Sequence, residues 1–485
     1  MTCLAGRMAL PGCATLVTVL SCAAPEAAVD AATITAAVPS PPIEYPLSIG
    51  PNGRRLMDRS GRAVFLHGEA AWGLATQLDT LETERYLEDR RQKGFNAIYV
   101  RLIEHRYSVH VPPWSNRAGD APFAGRLSTG EFDLTSPNEA YWHHVDRMLA
   151  IAHGKGFLVI GFPAYLGHAS DTSGWLHELK ANGLARIHAY GEWLGQRYAS
   201  QPNLIWGLGG DRTTVGTGGD LAPHVNALAS GIRTRDSTHL MTAHSARNRS
   251  SADDYDQPWL DLNATYAAYV AEDGPSIATR VRLDYQRRPR KPFVLLEGHY
   301  ENEHGVTAHG ARAQAYWAVL GGATGHFYGN WPIWAFGAVE YYGDDRRLSW
   351  ERALRLEGAQ DMVHLGDLFR SRPFALLEPD DDACAPADAP AAVDDPAYIA
   401  CARTSDGSTL LAYLPTPRAL AVNLGRLADT MVTAWWFDPR TGAADQIGVF
   451  PAAGTRAFDP PGPGDWVLVV DARERNFPPP GAPQR

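Results

Sequence analysis

Eight short apolar runs, each followed by a longer amphipathic stretch, occupy the first three quarters of this 485-residue chain. They fall at 64–67, 96–101, 157–162, 203–208, 239–243, 260–264, 293–297 and 323–328. Runs this short and this uniformly apolar suit strands of a parallel sheet buried on both faces, and the stretches between them suit covering helices. Helical spacing is clear at 81–93, with Glu82 and Glu84 in its first turn, and at 138–153, where Val145, Met148, Leu149 and Ala152 share one stripe. Gly94 and Gly156 stop these two helices, and 184–198 and 311–320 follow the same logic. Eight is the number of strands that closes a barrel, so the expected fold is α/β, a (β/α)8 TIM barrel over 45–375. A doubly wound sheet would need a glycine-rich phosphate loop after its first strand, and His67-Gly68-Glu69-Ala70 is not one.

Beyond the barrel the texture turns acidic and rich in Ala and Pro, then to short strand-like runs at 398–403, 409–414, 419–424, 431–437 and 466–470. A small all-β sandwich over 376–475 fits them, with a loose tail at 476–485. At the other end, Arg7 precedes an apolar stretch at 8–20 and an Ala-rich one, the layout of a secretory signal over 1–30, followed by a flexible linker at 31–44. Val19-Leu20-Ser21-Cys22 has the form of a bacterial lipobox, in which a lipid on Cys22 would attach the mature chain to a membrane. The expectation is an exported bacterial protein: periplasmic, extracellular or an outer-membrane lipoprotein. Of five cysteines only Cys384 and Cys401 lie in the folded body. In an oxidising compartment their pairing would contribute about 3 kcal/mol by loop entropy; two buried free thiols are the alternative. A formal net charge of −10 would repel a phosphate backbone, which excludes a general nucleic-acid binder.

Barrel chemistry sits at the C-terminal ends of the strands. The fourth run ends Gly209-Gly210-Asp211 and the seventh ends Glu297-Gly298-His299-Tyr300-Glu301, so each delivers an acid to the same rim. Glycoside hydrolysis uses such a pair, one carboxyl to protonate the leaving oxygen and one to attack the sugar or activate water. A strand-end acid alone is more often a cap or an ion-pair partner; two on strands four and seven favour chemistry. The glycines before Asp211 allow close backbone approach to a ligand.

These motifs resemble the apiosidase-like glycoside hydrolases (glycoside hydrolase family 140), a barrel followed by a β domain that carries a collagen-binding label. The likeness rests on Tyr45-Pro46-Leu47, Gly94-Phe95-Asn96, Tyr141-Trp142-His143-His144, Ile205-Trp206-Gly207-Leu208-Gly209-Gly210-Asp211, Glu297-x-x-Tyr300-Glu301 and Trp436-Phe437-Asp438-Pro439. It implies a retaining mechanism with Asp211 as acid/base and Glu297 as nucleophile, and no metal or organic cofactor. It implies an oligo- or polysaccharide as partner, plant or microbial, with a furanosidic or related linkage cleaved. A monomer is expected. Departures from the family pattern fall at sugar-facing positions. Glu69 stands where an Asp is usual, Tyr99 where a Gln is usual, only His244-Ser245 survives after strand five, and Tyr266-Ala267-Ala268-Tyr269 replaces a Gln-Ser-Gly-His after strand six. Candidate substrate contacts are therefore Glu69, Trp72, Tyr99, Tyr165, His168, Gly210, His244, His299, Tyr300, Tyr328 and Trp334. His143 and His144 read as helix-surface or packing residues, and the basic run 287–291 as a solvated turn. The rival reading is an inactive barrel that binds carbohydrate or mediates adhesion.

Overall fold

Eight parallel strands form the central sheet of the computed structural model: β1 (Leu66–Ala70), β2 (Ala97–Arg101), β3 (Leu158–Phe162), β4 (Leu204–Gly209), β5 (Met241–His244), β6 (Asn263–Tyr266), β7 (Phe293–Glu297) and β8 (Gly325–Tyr328). All eight expected runs are strands, with ends displaced by at most three residues. The described residues are 41–104, 114–168, 171–214, 221–267, 276–337, 343–386 and 391–483. The expected signal, Cys22 and all of the linker before residue 41 lie outside them, as does Tyr269.

The ladder runs β5-β4-β3-β2-β1-β8-β7-β6, and Gly325 to Tyr328 pair with Leu66 to Glu69 to join the last strand to the first. Between β5 and β6 the seam is held by other bonds. The Asp261 and Leu262 N–H groups donate to the Met241 carbonyl at 2.9 and 3.2 Å, and Thr242 Oγ1 donates to the Leu262 carbonyl at 2.7 Å. A two-residue strand, Arg249–Ser250, pairs antiparallel to β6.

Alternation along the strands sorts side chains into two layers. Leu66, Ala70, Ala97, Tyr99, Leu158, Ile160, Val294 and Leu296 fill the barrel interior. Ile98, Val100, Val159, Trp206, Leu208 and Leu295 face the surrounding helices. Those helices are α1 (Thr80–Gln92), α2 (Glu139–Gly154), α3 (Leu176–Tyr198), α4 (Ala222–Arg235), α5 (Ile277–Gln286), α6 (Ala308–Leu320) and α7 (Glu357–Arg370). Asp79 and Glu82 form a reciprocal capping box that starts α1. α3 begins eight residues before the expected start and breaks its helical geometry at Gly183, where φ is 70°. Between β5 and β6 only the short helix Ser251–Asp254 is present among the described residues. No helix among the described residues is long and apolar enough to cross a membrane.

The C-terminal residues add β9 (Leu377–Pro379), β10 (Cys384–Pro386), β11 (Ala400–Thr404), β12 (Thr409–Leu414), β13 (Leu420–Asn423), β14 (Met431–Phe437), β15 (Ala444–Pro451), β16 (Thr455–Phe458) and β17 (Trp466–Ala472). They form two antiparallel sheets, β9-β11-β12-β17-β14-β15 and β10-β13-β16. Leu410, Ala412, Val432, Ala434, Leu468 and Val470 are buried with Leu420, Val422 and Phe458 in the core between them. Cys384 and Cys401 are joined in a disulfide that links the two sheets. The opposite face of the larger sheet is not left to solvent: Leu411, Tyr413, Val467 and Val469 share one apolar cluster with Tyr316, Trp317 and Leu320 of α6. Barrel and sandwich therefore form one compact unit.

Candidate active site

Asp211 and Glu297 meet at the barrel mouth because of two local departures from regular structure. The first is at the end of β4. Gly209 has φ of 78°, and a Cβ there would sit 2.3 Å from the His244 carbonyl oxygen. At Gly210 a Cβ would come within 2.8 Å of the Leu166 backbone nitrogen. The two glycines thus let the chain turn between β3 and β5 and deliver Asp211; the close approach they permit is to the protein's own backbone. Gly210 belongs to this support, and the expected ligand contact through it is replaced by these backbone ones. The second departure is in β7. Simple alternation from inward Val294 and Leu296 would turn Glu297 toward the helices, but the β6–β7 register slips so that Thr265 pairs with Leu295 and Tyr266 with Glu297. A slip of this kind re-aims a side chain, and Glu297 lines the cleft.

His244, at the end of β5, stands beneath both acids. Its Nε2 is 2.6 Å from Glu297 Oε2 and its Nδ1 3.0 Å from Asp211 Oδ1, the second contact lacking hydrogen-bond alignment. One oxygen of Asp211 and one of Glu297 lie within 4.8 Å of each other. Burial, partly offset by the charge of His244 and reinforced by that of Glu297, pushes the Asp211 carboxyl up to about 7. Its side chain keeps 25% of its surface open to the cleft and is enclosed by protein elsewhere. Burial alone would lower His244, but the Asp211 charge and the Glu297 hydrogen bond outweigh it and hold the imidazole above its usual value. The three side chains also offer the donor set of a metal site. Two ligand atoms on one tetrahedral zinc stand about 3.3 Å apart given bonds near 2.0–2.1 Å, so the 2.6 Å contact between His244 and Glu297 fits a shared proton and leaves no room for an ion between them.

The cleft encloses about 210 Å³. Of the expected contacts, Trp72, Tyr165, His168, His299, Tyr300 and Trp334 line it with the two acids. Tyr165 hydrogen-bonds Asp211. Tyr300 accepts from Trp72 Nε1 at 3.1 Å and shares a 2.8 Å hydroxyl contact with Tyr99, which is fully buried one layer below. Gln314 grips the His299 backbone from α6, its side chain accepting from the N–H at 2.6 Å and donating to the carbonyl at 3.0 Å.

Two expected contacts face the other way. Glu69 follows inward Gly68, so it points to the helix layer, where Arg90 Nε and Nη2 donate to its two oxygens at 2.5 and 2.7 Å, Tyr86 at 2.6 Å and Asn330 at 3.0 Å. It is an entirely buried ion-pair partner with its acceptor sites occupied, and the substrate-binding expectation is corrected on that ground. Tyr328, next to inward Phe327, likewise faces outward and donates to Glu301. Tyr266, named as a departure at a sugar-facing position, lines the cleft too, and sequence reasoning missed Arg101, Arg247, Glu303 and His304, which also line it. Arg101 and Tyr266 are the last residues of β2 and β6 and satisfy the strand-end rule; the other three lie in loops without periodicity. The Arg101 guanidinium sits 4.7 Å from the Trp72 ring centre and 4.5 Å from that of Tyr165, and is paired with Glu104 at 3.0 Å.

An eight-stranded barrel with two acids at the ends of its fourth and seventh strands has the architecture of a glycoside hydrolase, and the solved structures agree. One described as a glycoside hydrolase superimposes with a TM-score of 0.74 at 25% identity, over 89% of this chain and 97% of its own. A glycoside hydrolase family 5 protein from Bacteroides vulgatus ATCC 8482 does so with a TM-score of 0.74 at 25% identity, over 88% and 94%. Residues 50–375 match the model described as "Apiosidase-like, catalytic domain", and the chain belongs to that family. Residues 388–471 match the one described as "Putative collagen-binding domain of a collagenase". No curated protein matches the chain.

Proposed function

We propose that the protein is an exported glycosidase that cleaves furanosidic or related linkages in plant or microbial polysaccharide with retention of configuration. The observation that carries this reading is the Asp211–Glu297 pair, with oxygens within 4.8 Å of each other and one carboxyl raised to about 7. Retaining enzymes hold their two carboxyl groups about 5–5.5 Å apart, and inverting ones about 6.5–9.5 Å to admit a water. In the first step a Glu297 oxygen attacks the anomeric carbon while the Asp211 proton passes to the departing oxygen. In the second, Asp211 takes a proton from water, which opens the glycosyl ester and frees Glu297. His244, touching both acids and held toward its charged form, stabilises the Asp211 carboxylate once its proton has left. The signal-like N-terminal sequence supports export, and the likeness to apiosidase-like enzymes supports the furanoside class.

Aryl furanosides and pyranosides, pectin and arabinan fragments form the test panel, with the first-formed anomer read by proton NMR. Release of the retained anomer from at least one furanoside is expected; the inverted anomer would overturn the mechanism, and no release from any substrate would favour the binding-protein reading. Asp211 must be protonated in the resting enzyme, and its proton is lost as pH rises through about 7, so kcat/KM is expected to fall on that side. Asp211→Asn is expected to lack that alkaline limb. Treatment with a chelator is expected to leave the rate unchanged; a loss restored by a divalent cation would replace the proton-sharing account of His244 with a metal one.

A further inference from the structure

The turn after β7 brings a third acid to the cleft. Glu303 lines the same 210 Å³ space as Asp211 and Glu297, and its Oε1 accepts a 2.5 Å hydrogen bond from Trp334 Nε1. Its neighbours Asn302 and His304 have φ of 64° and 53°, the left-handed region in which asparagine and histidine are enriched. The surroundings pin the turn. Asn302 N–H donates to the Val306 carbonyl at 3.0 Å, Val306 N–H returns to the Glu303 carbonyl at 3.0 Å, and Gly305 N–H donates to Asp344 Oδ2 at 2.8 Å.

The charges around Glu303 decide which form of the carboxyl is present. Glu297 on β7 and Asp344 after β8 oppose a further negative charge there, while Arg247, His299 and His304 line the same cleft and Tyr266 faces it from β6. Burial is the largest influence and acts with the two acids; the Trp334 bond opposes them, and the carboxyl is pushed up to about 8. A neutral carboxylic acid both donates and accepts hydrogen bonds, whereas a carboxylate only accepts. Where Glu297 must stay ionised to attack, a neutral acid is the form that adds an O–H donor without adding repulsion.

We propose that Glu303 is a specificity-determining residue that donates its carboxyl hydrogen to an uncharged oxygen, a hydroxyl or ring oxygen, of the sugar seated against Glu297, with Trp334 fixing its other oxygen. This deepens the glycosidase reading and rests on it. The ligand class is a neutral glycosyl unit.

The test measures Kd by calorimetry for methyl arabinofuranoside and methyl apiofuranoside at pH 6.5 and 9.5 in the Asp211→Asn background, which removes the other carboxyl that titrates in this range and cannot protonate an alkoxide leaving group, so the ligand stays intact. KM and kcat are read for the 4-nitrophenyl glycosides at pH 6.5 with Asp211 in place. With Glu303 present, Kd is expected to rise about tenfold between the two pH values as Glu303 loses its proton. Glu303→Gln keeps an N–H donor at every pH, so its Kd is expected within about threefold of that value at pH 6.5 and flat to pH 9.5. Glu303→Ala is expected to show the weakened value at both. A pH dependence of Kd preserved in Glu303→Gln, or an unchanged KM and Kd in Glu303→Ala, would overturn the assignment while leaving the glycosidase reading intact. No binding of either furanoside would overturn the assignment, and the glycosidase reading falls with it only when no substrate of the wider panel is hydrolysed. A purely structural Glu303 would move kcat and KM together in both variants without abolishing the pH dependence, and that result also rejects it.

Discussion

Glu297→Ala is expected to lower hydrolysis by about 10⁴-fold or more for every substrate, because no other group in the cleft can form the glycosyl ester from the same position. Asp211→Ala is expected to behave differently. Its loss in kcat/KM should be about 10²–10⁴-fold for sugar leaving groups, which need a proton, and much smaller for 4-nitrophenol, which leaves without one, while kcat falls for both because water has lost its base. Azide separates the two roles further. In Asp211→Ala it should intercept the glycosyl-enzyme and give a glycosyl azide of retained configuration; in Glu297→Ala it should attack in place of the carboxylate and give the inverted product. Equal losses across leaving groups would remove Asp211 as the acid. Turnover of Glu297→Ala within tenfold of wild type would remove the nucleophile.

How much of this site could be read from the chain depended on whether the local pattern carried the information. Barrel strands are buried on both faces, so their apolar runs stand out, and Asp211 and Glu297 were legible as the polar residues that end two of them. The position of Glu69 was legible too, but only with the alternation rule: inward Leu66 and Ala70 bracket it at odd spacing, which sends it to the helix layer and to Arg90. A departure from a family pattern at that position therefore concerns a buried ion pair. Tyr328 fails as a sugar contact by the same parity. Glu297 shows the limit of the rule, since alternation alone would have turned it away and a register slip between β6 and β7 restores it. That slip is set by two strands together and has no signature in either.

The bridging position of His244 was less visible. As the last residue of β5 it satisfied the strand-end rule and was expected to touch sugar. The structure places it under the two acids, fully buried, because the Gly209-Gly210 turn folds Asp211 back over the end of β5. Glu303 and Arg247 were silent in the sequence. Each lies several residues beyond a strand, in a loop whose course is fixed by hydrogen bonds to distant segments such as the one carrying Asp344. Loops carry specificity because a rigid scaffold frees them from periodic constraints, and the same freedom removes the pattern that would reveal them.

The junction between barrel and sandwich supports a second large expected effect. Arg312 on α6 is buried between two acids: Nε and Nη2 donate to Asp465 beside β17 at 2.9 and 2.8 Å, and Nη1 donates to Asp361 on α7 at 2.6 Å. Tyr413 of β12 adds a 3.0 Å bond to Asp465. Arg312→Met keeps much of the packing volume but strands two buried carboxylates, and breaking a buried pair from one side costs about 3–5 kcal/mol. The loss should depend on pH. Burial raises Asp465, but its bonds to Arg312 outweigh that and hold it below the usual carboxylate range. Its contribution in the wild type is therefore present above the unfolded-state value and lost as pH falls through the lower, folded one. Asp361 is already pushed up to about 7 by burial with Arg312 present. Without the guanidinium both acids should titrate higher, so for each acid the gap to wild type should grow from its wild-type folded value up to its new one, level off above that, and shrink in acid. Urea unfolding of both proteins at pH 5 and pH 8 reads this directly, with the larger gap expected at pH 8. Adding Asp361→Asn and Asp465→Asn to the variant should recover part of the loss, since the stranded charges are then gone. A gap below about 1 kcal/mol at both pH values would mean that the shared apolar cluster of Tyr316, Trp317, Tyr413 and Val467, not the ion triad, carries the junction.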